Sequence, residues 1–190
     1  MKLPFAILAT AAACAACSPE PAPPQEPDAA AAESTLVASD TSVSARSPNT
    51  LALEGLGDLR IGEPVPAAST WAERGAQGSD SCRTVSSPDY PGVYAIVEEG
   101  RVRRISAGQS STVALAEGIR TGADEAGVRE AFPGFREEPH KYVAAPAKYL
   151  TTPNAASGDP ALRFEIGADG QVTLIHVGTM PVLGYVEGCS

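Results

Sequence analysis

The 190-residue sequence is poor in the residues on which most catalytic and cofactor sites depend. It has two histidines, His140 and His176, one tryptophan and four cysteines. It contains no H-E-x-x-H, no G-x-x-x-x-G-K-[ST] and no G-x-S-x-G pattern, and no C-x-x-C pair follows Cys17. These patterns mark zinc proteases, P-loop nucleotide sites, serine-hydrolase elbows and structural zinc sites. We therefore expect no catalytic residue, no metal and no cofactor.

Positive charge is also scarce. The chain has 14 Lys and Arg against 23 Asp and Glu, a net charge of −9. From Asn49 onward there are 12 basic and 18 acidic residues, which leaves −6. Nucleic-acid binding depends on neutralising phosphates with Lys and Arg, so we expect no nucleic-acid partner. Basic docking on anionic lipid is disfavoured for the same reason. Solubility alone accounts for the excess of acid.

No hydrophobic run is long enough to cross a membrane. The apolar stretch from Leu3 to Ala13 follows Lys2 and precedes small residues. It falls short of the roughly 20 residues that a membrane-spanning helix needs. A charged start, a short apolar run and a small-residue end together indicate a secretory signal over residues 1–17.

Cysteines follow this run directly, and each comes after a pair of alanines. This arrangement resembles the lipobox of bacterial lipoproteins, in which the cysteine is acylated. Cys14 follows three alanines, whereas Cys17 precedes Ser18 and a proline-rich run, and both remain candidates for the lipid. Neither is followed by Asp. In that family, the absence of Asp after the cysteine implies sorting to the outer membrane. The resemblance implies a lipid-anchored envelope protein on the periplasmic side of the outer membrane. An ordinary cleaved signal is the alternative.

The rest of the chain divides into a tether and a folded part. Residues 18–48 are rich in Pro, Ala and Ser and have few large apolar side chains, so we expect a disordered spacer. Residues 49–190 are long enough for one domain or two small modules. We divide them into a first module, 49–115, and a second, 116–190.

The division rests on an internal similarity. Leu59–Gly62 matches Ile119–Gly122 sixty residues later, and the stretch 94–108 matches 164–178 seventy residues later. The change of offset predicts about ten extra residues in the second copy, between Ala144 and Gly158. Chance similarity between two hairpins is the alternative explanation.

Local patterns predict an α+β fold with short helices packed on antiparallel sheet. A helix is expected from Thr121 to Phe132, and a late-starting one over Ala67–Glu73. Hairpins are expected around Glu98–Gly100 and Gly167–Gly170. Lys141–Thr151 and Val182–Val186 are expected to be further strands.

The turn and helix at Ile119–Pro133, followed by a strand meander, resemble the small modules of the β-lactamase inhibitory protein. They are also similar to the SmpA/OmlA lipoproteins of outer-membrane assembly. Leu59–Trp71 matches poorly because of Pro64 and Pro66. The resemblance implies protein binding without catalysis, and it assigns a role to no individual residue.

Cys82 and Cys189 are the only cysteines beyond the signal. Because an oxidising envelope permits disulfides, we predict that they pair. A metal pair would need further ligands, and a catalytic thiol is the remaining alternative. His140 and His176 are expected to be structural. A histidine joined to an acid and an exposed serine would instead favour a cell-envelope hydrolase.

Aromatic residues are the best candidates for recognition, since they are enriched at binding hot spots. We select Tyr142 and Tyr149 as candidates for exposure, with Trp71 as a further binding candidate, and we expect a recognition loop over Pro146–Pro160. The sequence thus favours a non-catalytic module that binds an unidentified protein or supports envelope assembly. A hydrolase and a glycan-binding protein are the alternatives.

Overall fold

The computed structural model describes residues 49–75 and 77–189, and this part of the chain is mostly β. Strands account for 37% of the structure and helices for 9%. The predicted α+β fold with helices packed on the sheet is therefore wrong. Within the described ranges there is one α-helix, α1 (Glu125–Ala131), and two single-turn 3₁₀ helices, Ala155–Ser157 and Val182–Gly184.

The described residues form strands in two sheets. In chain order the strands are β1 (Thr50–Ala52), β2 (Gly55–Leu56), β3 (Leu59–Arg60), β4 (Ala72–Glu73), β5 (Cys82–Ser86), β6 (Val93–Glu98), β7 (Arg101–Ala107), β8 (Ala114–Leu115), β9 (Arg136–Pro139), β10 (Lys148–Thr151), β11 (Ala161–Ile166) and β12 (Val172–Gly178). A small sheet has the order β3-β2-β1-β8, with β1 and β8 parallel. The large sheet is antiparallel, in the order β4-β5-β6-β7-β12-β11-β10-β9.

The helix expected over Ala67–Glu73 does not form. Ser69 closes a turn onto the carbonyl of Pro66 through both its backbone N–H and its hydroxyl. Ala72 and Glu73 pair with β5 as an edge strand. Pairing with β5 thus takes the place of the expected helix.

The second expected helix forms but is short. Its N-cap is Asp124, whose side chain makes no capping hydrogen bond, and the helix ends at Ala131, with Phe132 as the C-cap residue. Only Val128 is fully buried. The expected start at Thr121 is therefore too early, because Gly122 and Ala123 pair with Val172 of β12 instead.

Both predicted hairpins are confirmed: β6 pairs with β7, and β11 pairs with β12. The first of the two further strands is partly wrong, and the second, Val182–Val186, does not form. Of Lys141–Thr151 only Lys148–Thr151 is extended, so β10 interrupts the loop expected over Pro146–Pro160. Val182–Gly184 is a 3₁₀ turn after a cis Met180–Pro181 bond.

The two halves of the large sheet meet at β7 and β12 with a symmetric register. Ile105 lies opposite Val177, and Ala107 lies opposite Ile175. Ile105 and Ile175 are equivalent in the two halves, as are Ala107 and Val177, and each residue lies opposite the equivalent of the other pair's member. Ser106 and His176 face each other at its centre. A local two-fold axis therefore passes between these two side chains.

Equivalent contacts recur on both sides of the seam. The N–H of Gly62 donates to the carbonyl of Val102, as the N–H of Gly122 donates to that of Val172. However, Arg163, not Phe164, takes the place of Tyr94, because it is Arg163 that pairs with His176 as Tyr94 pairs with Ser106. The expected alignment of these two strands is therefore wrong by one residue. A one-residue slip moves each side chain to the opposite face.

The main core lies on one face of the large sheet. Alternate strand residues such as Val97, Ile105 and Phe164 pack with Leu51 and Leu56 of the small sheet. Phe132 and Phe135 lie against Phe164, with ring centroids 5.6 and 6.0 Å away. Because successive strand residues point to opposite faces, the intervening residues face the other side, where the polar groups lie.

The predicted disulfide between Cys82 and Cys189 is confirmed. Their Cα atoms are 5.5 Å apart and 107 residues separate them in sequence. Cys82, Ile96 and Val182 form a small second cluster with Tyr94 and Tyr185. The bond therefore fixes the C-terminal segment to β5.

Candidate functional site

The second face of the large sheet carries a buried polar cluster. Its fully or nearly buried members come from four strands of that sheet and are Arg104, Ser106, Thr151, Arg163 and His176. Polar side chains in this position are stable only when their hydrogen bonds are satisfied. The geometry of each contact therefore determines what the cluster can do.

Ser106, His176 and Glu165 form a chain of hydrogen bonds. Ser106 Oγ lies 2.7 Å from Nδ1 of His176, and Nε2 of His176 lies 3.1 Å from Oε1 of Glu165. Burial lowers the pKa of His176 below its ordinary 6.5, against the opposing effect of Glu165. The neutral ring thus carries its proton on Nε2, donates to Glu165 and accepts from the Ser106 hydroxyl.

The carboxyl of Glu165 is the negative centre of the cluster. Burial acts to raise its pKa, but the hydrogen bonds and attraction of His176 and His140 outweigh that effect. The pKa of Glu165 therefore lies below its ordinary 4.5. His140 Nε2 lies 3.5 Å from Oε2. Each oxygen of this carboxylate is thus opposite one histidine.

This serine, histidine and acid resemble a hydrolase triad in composition. In a working triad, however, the serine oxygen must reach the substrate. Ser106 is completely buried near the end of β7, and His176 is 2% exposed. The arrangement offers no nucleophile to a substrate in this conformation, so the condition set for the hydrolase, an exposed serine, is not met. Here the three groups satisfy one another.

The ring of Tyr149 contacts the imidazole of His140 and the guanidinium of Arg163. The His140 imidazole stacks on one face at a centroid distance of 4.7 Å, and the guanidinium of Arg163 lies 4.0 Å from the ring centroid. Arg163 also donates to Glu138 and Thr151, each at 2.7 Å. Tyr149 is 3% exposed, so the expectation that it is exposed is wrong. It positions its neighbours instead of meeting a partner.

Tyr142, in contrast, is 60% exposed, as expected, and the adjacent Val143 is 43% exposed. They lie in the connection between β9 and β10. The backbone N–H groups of both residues donate to Nδ1 of His140 at 3.2 Å. The same ring stacks on Tyr149 and faces Glu165. An exposed apolar tip is thus fixed to the buried polar cluster through His140.

Arg104 is the most deeply buried charged residue of the cluster. Its Nη1 donates to the carbonyls of Val182 and Tyr185, and its Nη2 lies 3.4 Å from the Tyr94 hydroxyl. Burial lowers the pKa of its guanidinium, partly offset by Tyr94. Arg104 therefore fastens the C-terminal segment over the polar face, next to the disulfide.

Trp71 is also buried, at 5% exposed, and stacks on Tyr90 with centroids 5.6 Å apart. It therefore presents no recognition surface in this conformation.

Cys14 and Cys17, the candidates for lipid attachment, lie outside the described residues. Over residues 49–75 and 77–189, no cluster of three His, Cys, Asp or Glu side chains could hold a metal ion.

Sequence reasoning missed Arg104, Ser106, Arg163 and Glu165. Arg104 and Ser106 lie on β7, which is central in the large sheet. The available signal was a polar residue at every second position of a strand that is otherwise apolar.

No helix of the described ranges is long and apolar enough to cross a membrane. Comparisons with protein families, curated proteins and solved structures found no match to this chain.

Proposed function

We propose that this chain is an envelope lipoprotein whose β domain binds a protein partner through the 142–143 tip, defined as Tyr142 and Val143. The anchoring part of the proposal rests on the lipobox-like sequence at Cys14 and Cys17, and the tether at residues 18–48 holds the domain away from the membrane. The binding part rests on one observation: two neighbouring apolar side chains are exposed on a loop whose backbone is hydrogen-bonded to the half-buried His140.

The tip has the physical properties of a recognition site. A tyrosine offers a large apolar face with a polar end and only two side-chain torsions to immobilise, which suits it to binding hot spots. Loops on a rigid scaffold are where binding residues concentrate. Because His140 fixes the backbone in advance, less ordering entropy is lost on binding.

The surroundings of the tip suit a protein more than a glycan. Glycan sites present several exposed aromatic rings along one groove, and of the tyrosines and tryptophan in the described ranges only Tyr142 is largely exposed. Lys141 lies beside it, with Nζ 5.1 Å from the ring centroid and 3.3 Å from Glu187. A small apolar centre with a charged rim is typical of protein interfaces.

The proposal is tested by crosslinking in cells followed by purification of the full-length protein. We expect one partner to be captured by the unaltered chain and by Met180→Ser, which removes an exposed apolar side chain elsewhere. Tyr142→Ala with Val143→Ser should abolish capture while leaving the melting temperature unchanged. Equal capture by all three proteins would refute recognition through the tip.

The anchoring is tested separately by fractionating cells. The unaltered chain should sediment with membranes and carry an acyl group detectable by mass spectrometry. Changing Cys14 and Cys17 singly to Ala identifies the acylated residue, and changing both should release the protein. If the double variant sediments as before, the lipoprotein part of the proposal fails, whereas the tip experiment keeps its meaning.

A further inference from the structure

His140 connects the 142–143 tip to the polar cluster through both of its ring nitrogens. The backbone N–H groups of Tyr142 and Val143 each donate to Nδ1, at 3.2 Å. Nε2 lies 3.5 Å from Oε2 of Glu165 on β11, and the side chain of His140 is 11% exposed. A single titratable ring thus joins the exposed tip to the interior of the domain.

The contacts at Nδ1 require a neutral ring. A neutral imidazole has one nitrogen that donates and one that accepts, whereas a protonated imidazole has an N–H on both nitrogens and accepts nothing. Because two backbone N–H groups donate to Nδ1, this nitrogen carries no proton, and the proton of the neutral ring is on Nε2, toward Glu165. Protonation of Nδ1 would set one N–H against two others.

Other charged groups near the ring pair with one another. In the hollow that His140 lines, Glu137 of β9 and Lys148 of β10 form an ion pair at 3.4 Å. Glu138 of β9 pairs with Arg163 of β11 at 2.7 Å. These groups are therefore engaged elsewhere when the ring takes up a proton.

The remaining titratable neighbours lie around the same ring and carboxylate. Tyr149 of β10 stacks on His140 at a centroid distance of 4.7 Å. His176 of β12 lies 3.1 Å from the other oxygen of Glu165. Lys141, the next residue in the chain, forms an ion pair with the C-terminal segment. Glu165 is thus the carboxylate that the described contacts place opposite His140.

Protonation would exchange the partners of the ring. The two hydrogen bonds from the tip are lost, whereas attraction to the Glu165 carboxylate is gained. Burial acts to raise the pKa of Glu165, but His176 and His140 hold it below its ordinary 4.5. This carboxylate therefore stays ionised in mild acid, and a charged ring would remain with Glu165 while the tip leaves.

We propose that His140 is a pH-sensitive latch for the 142–143 tip. The neutral ring holds the two backbone N–H groups, and the protonated ring releases them. Imidazoles ordinarily change charge between pH 5 and 8, so mild acid is the condition that releases the tip. A released tip binds with an affinity reduced in proportion to the fraction of latched molecules. This effect on binding rests on the proposed function, whereas the latch does not.

Nuclear magnetic resonance tests the latch without a partner, on the ¹⁵N-labelled full chain with Cys14→Ala and Cys17→Ala. At pH 7.5 the ring nitrogen shifts of His140 should report a proton on Nε2 alone, and at pH 5.5 a proton on both nitrogens. Amides 142 and 143 should lose at least tenfold of their exchange protection, corrected for the intrinsic effect of pH, while β6 amides keep theirs. A ring still neutral at pH 5.5, or a charged ring with protected tip amides, overturns the proposal.

His140→Asn is the matched control. An asparagine oxygen accepts from backbone N–H groups just after it, as in Asx turns, but the side chain does not titrate. We expect the protection of amides 142 and 143 in this variant to be the same at both pH values. A fall equal to that in the unaltered chain would show that acid acts elsewhere and would refute the latch.

Crosslinking in cells held at pH 7.5 and 5.5 extends the test to binding. Capture of the protein that the unaltered chain retains at pH 7.5 should fall at least tenfold in acid, and capture by His140→Asn should not. Equal falls in both would refute control of binding by His140. If nothing is captured at pH 7.5, the proposed function fails, and the amide protection decides the latch by itself.

Discussion

Ser106 and His176 are hydrogen-bonded at 2.7 Å across the seam where β7 meets β12. They occupy equivalent positions in the two halves of the sheet, and each is fully or nearly buried. On the local two-fold axis, two equivalent positions face each other. This chain has different residues at these two positions, so the Ser106 hydroxyl can donate and the His176 ring can accept. The asymmetry allows two buried polar side chains to satisfy each other within the seam.

Ser106→Ala should destabilise the domain by about 1–3 kcal/mol, because it leaves Nδ1 of His176 buried without its donor. The exposed Ser110 provides the control, and Ser110→Ala should change stability by less than about 0.5 kcal/mol. The free energy of unfolding from urea titration measures both. The single tryptophan, Trp71, reports unfolding by fluorescence because it is buried in the folded state. Equal stability of the two variants would contradict the role given to this pair.

Acid should destabilise the domain in two stages. The pKa of His176 is lowered on folding, so below its ordinary 6.5 the unfolded chain binds a proton that the folded chain does not, and stability falls as the pH falls. Glu165 acts with the same sign below its ordinary 4.5. Urea unfolding at pH 7.5, 6.0 and 5.0 isolates the first stage. His176→Gln should flatten the dependence over this range, and an unchanged slope would show that His176 is not its source.

Removing the disulfide should cost stability while leaving the fold intact. Closing a loop of about 100 residues contributes up to about 4.7 kcal/mol in the loop-entropy estimate, and measured values are often smaller. We expect Cys82→Ser with Cys189→Ser to lower the free energy of unfolding by about 2–4 kcal/mol. Reduction of the unaltered protein should give a similar loss, and the double variant should not respond to reductant. A response of the double variant would indicate another redox-sensitive group.

Gly178 should tolerate no side chain. A Cβ there would lie 2.2 Å from the backbone oxygen of Arg103, across the seam. Gly178→Ala must therefore separate β7 from β12, and we expect a loss of more than about 2 kcal/mol. At Gly108 the nearest atoms would be 3.4 and 3.6 Å away, so Gly108→Ala should cost much less. Thermal melts of the two variants compare them directly, and similar melting temperatures would contradict the close approach.

His140→Ala should loosen the 142–143 tip without unfolding the domain. The substitution removes the acceptor for the backbone N–H groups of Tyr142 and Val143. We expect hydrogen exchange at these two amides to become at least tenfold faster. Amides of β6, on the other side of the seam, serve as the internal reference and should keep their rates. Protected amides at 142 and 143 in the variant would show that something other than His140 holds the tip.

The sequence allowed the strong local signals to be interpreted correctly. The turns at Glu98–Gly100 and Gly167–Gly170 predicted two hairpins, and the lone cysteines beyond the signal predicted the disulfide. It did not reveal that β7 and β12 pair, because that contact joins residues seventy positions apart. The apolar pattern over Ala67–Glu73 did not reveal that Ala72 and Glu73 pair with β5, so a helix was expected there and the fold class was wrong.

The candidate site was predicted less well than the fold, for a related reason. Exposure of Tyr142 could be anticipated, but Tyr149 and Trp71 have the same composition signal and are buried. What distinguishes them is which partner strand lies alongside, and that depends on register. A slip of one residue in β11 would exchange Arg163 with Phe164 between the polar and apolar faces. The polar cluster is therefore a property of strand pairing and is not visible in any short motif.

The bond between Cys82 and Cys189 also determines how the protein bears tension. Under the anchoring proposed above, the protein would be pulled from its N-terminal end when a distant partner moves. The residues between the two cysteines form a covalently closed ring, and the chain before Cys82 lies outside it. That leading chain can be drawn out to about 3.5 Å per residue. The 142–143 tip lies inside the ring. A force applied between the N-terminal end and the tip would thus extend the leading chain fully, whereas extension within the ring would be limited by its shorter arm, which runs from the tip to Cys189.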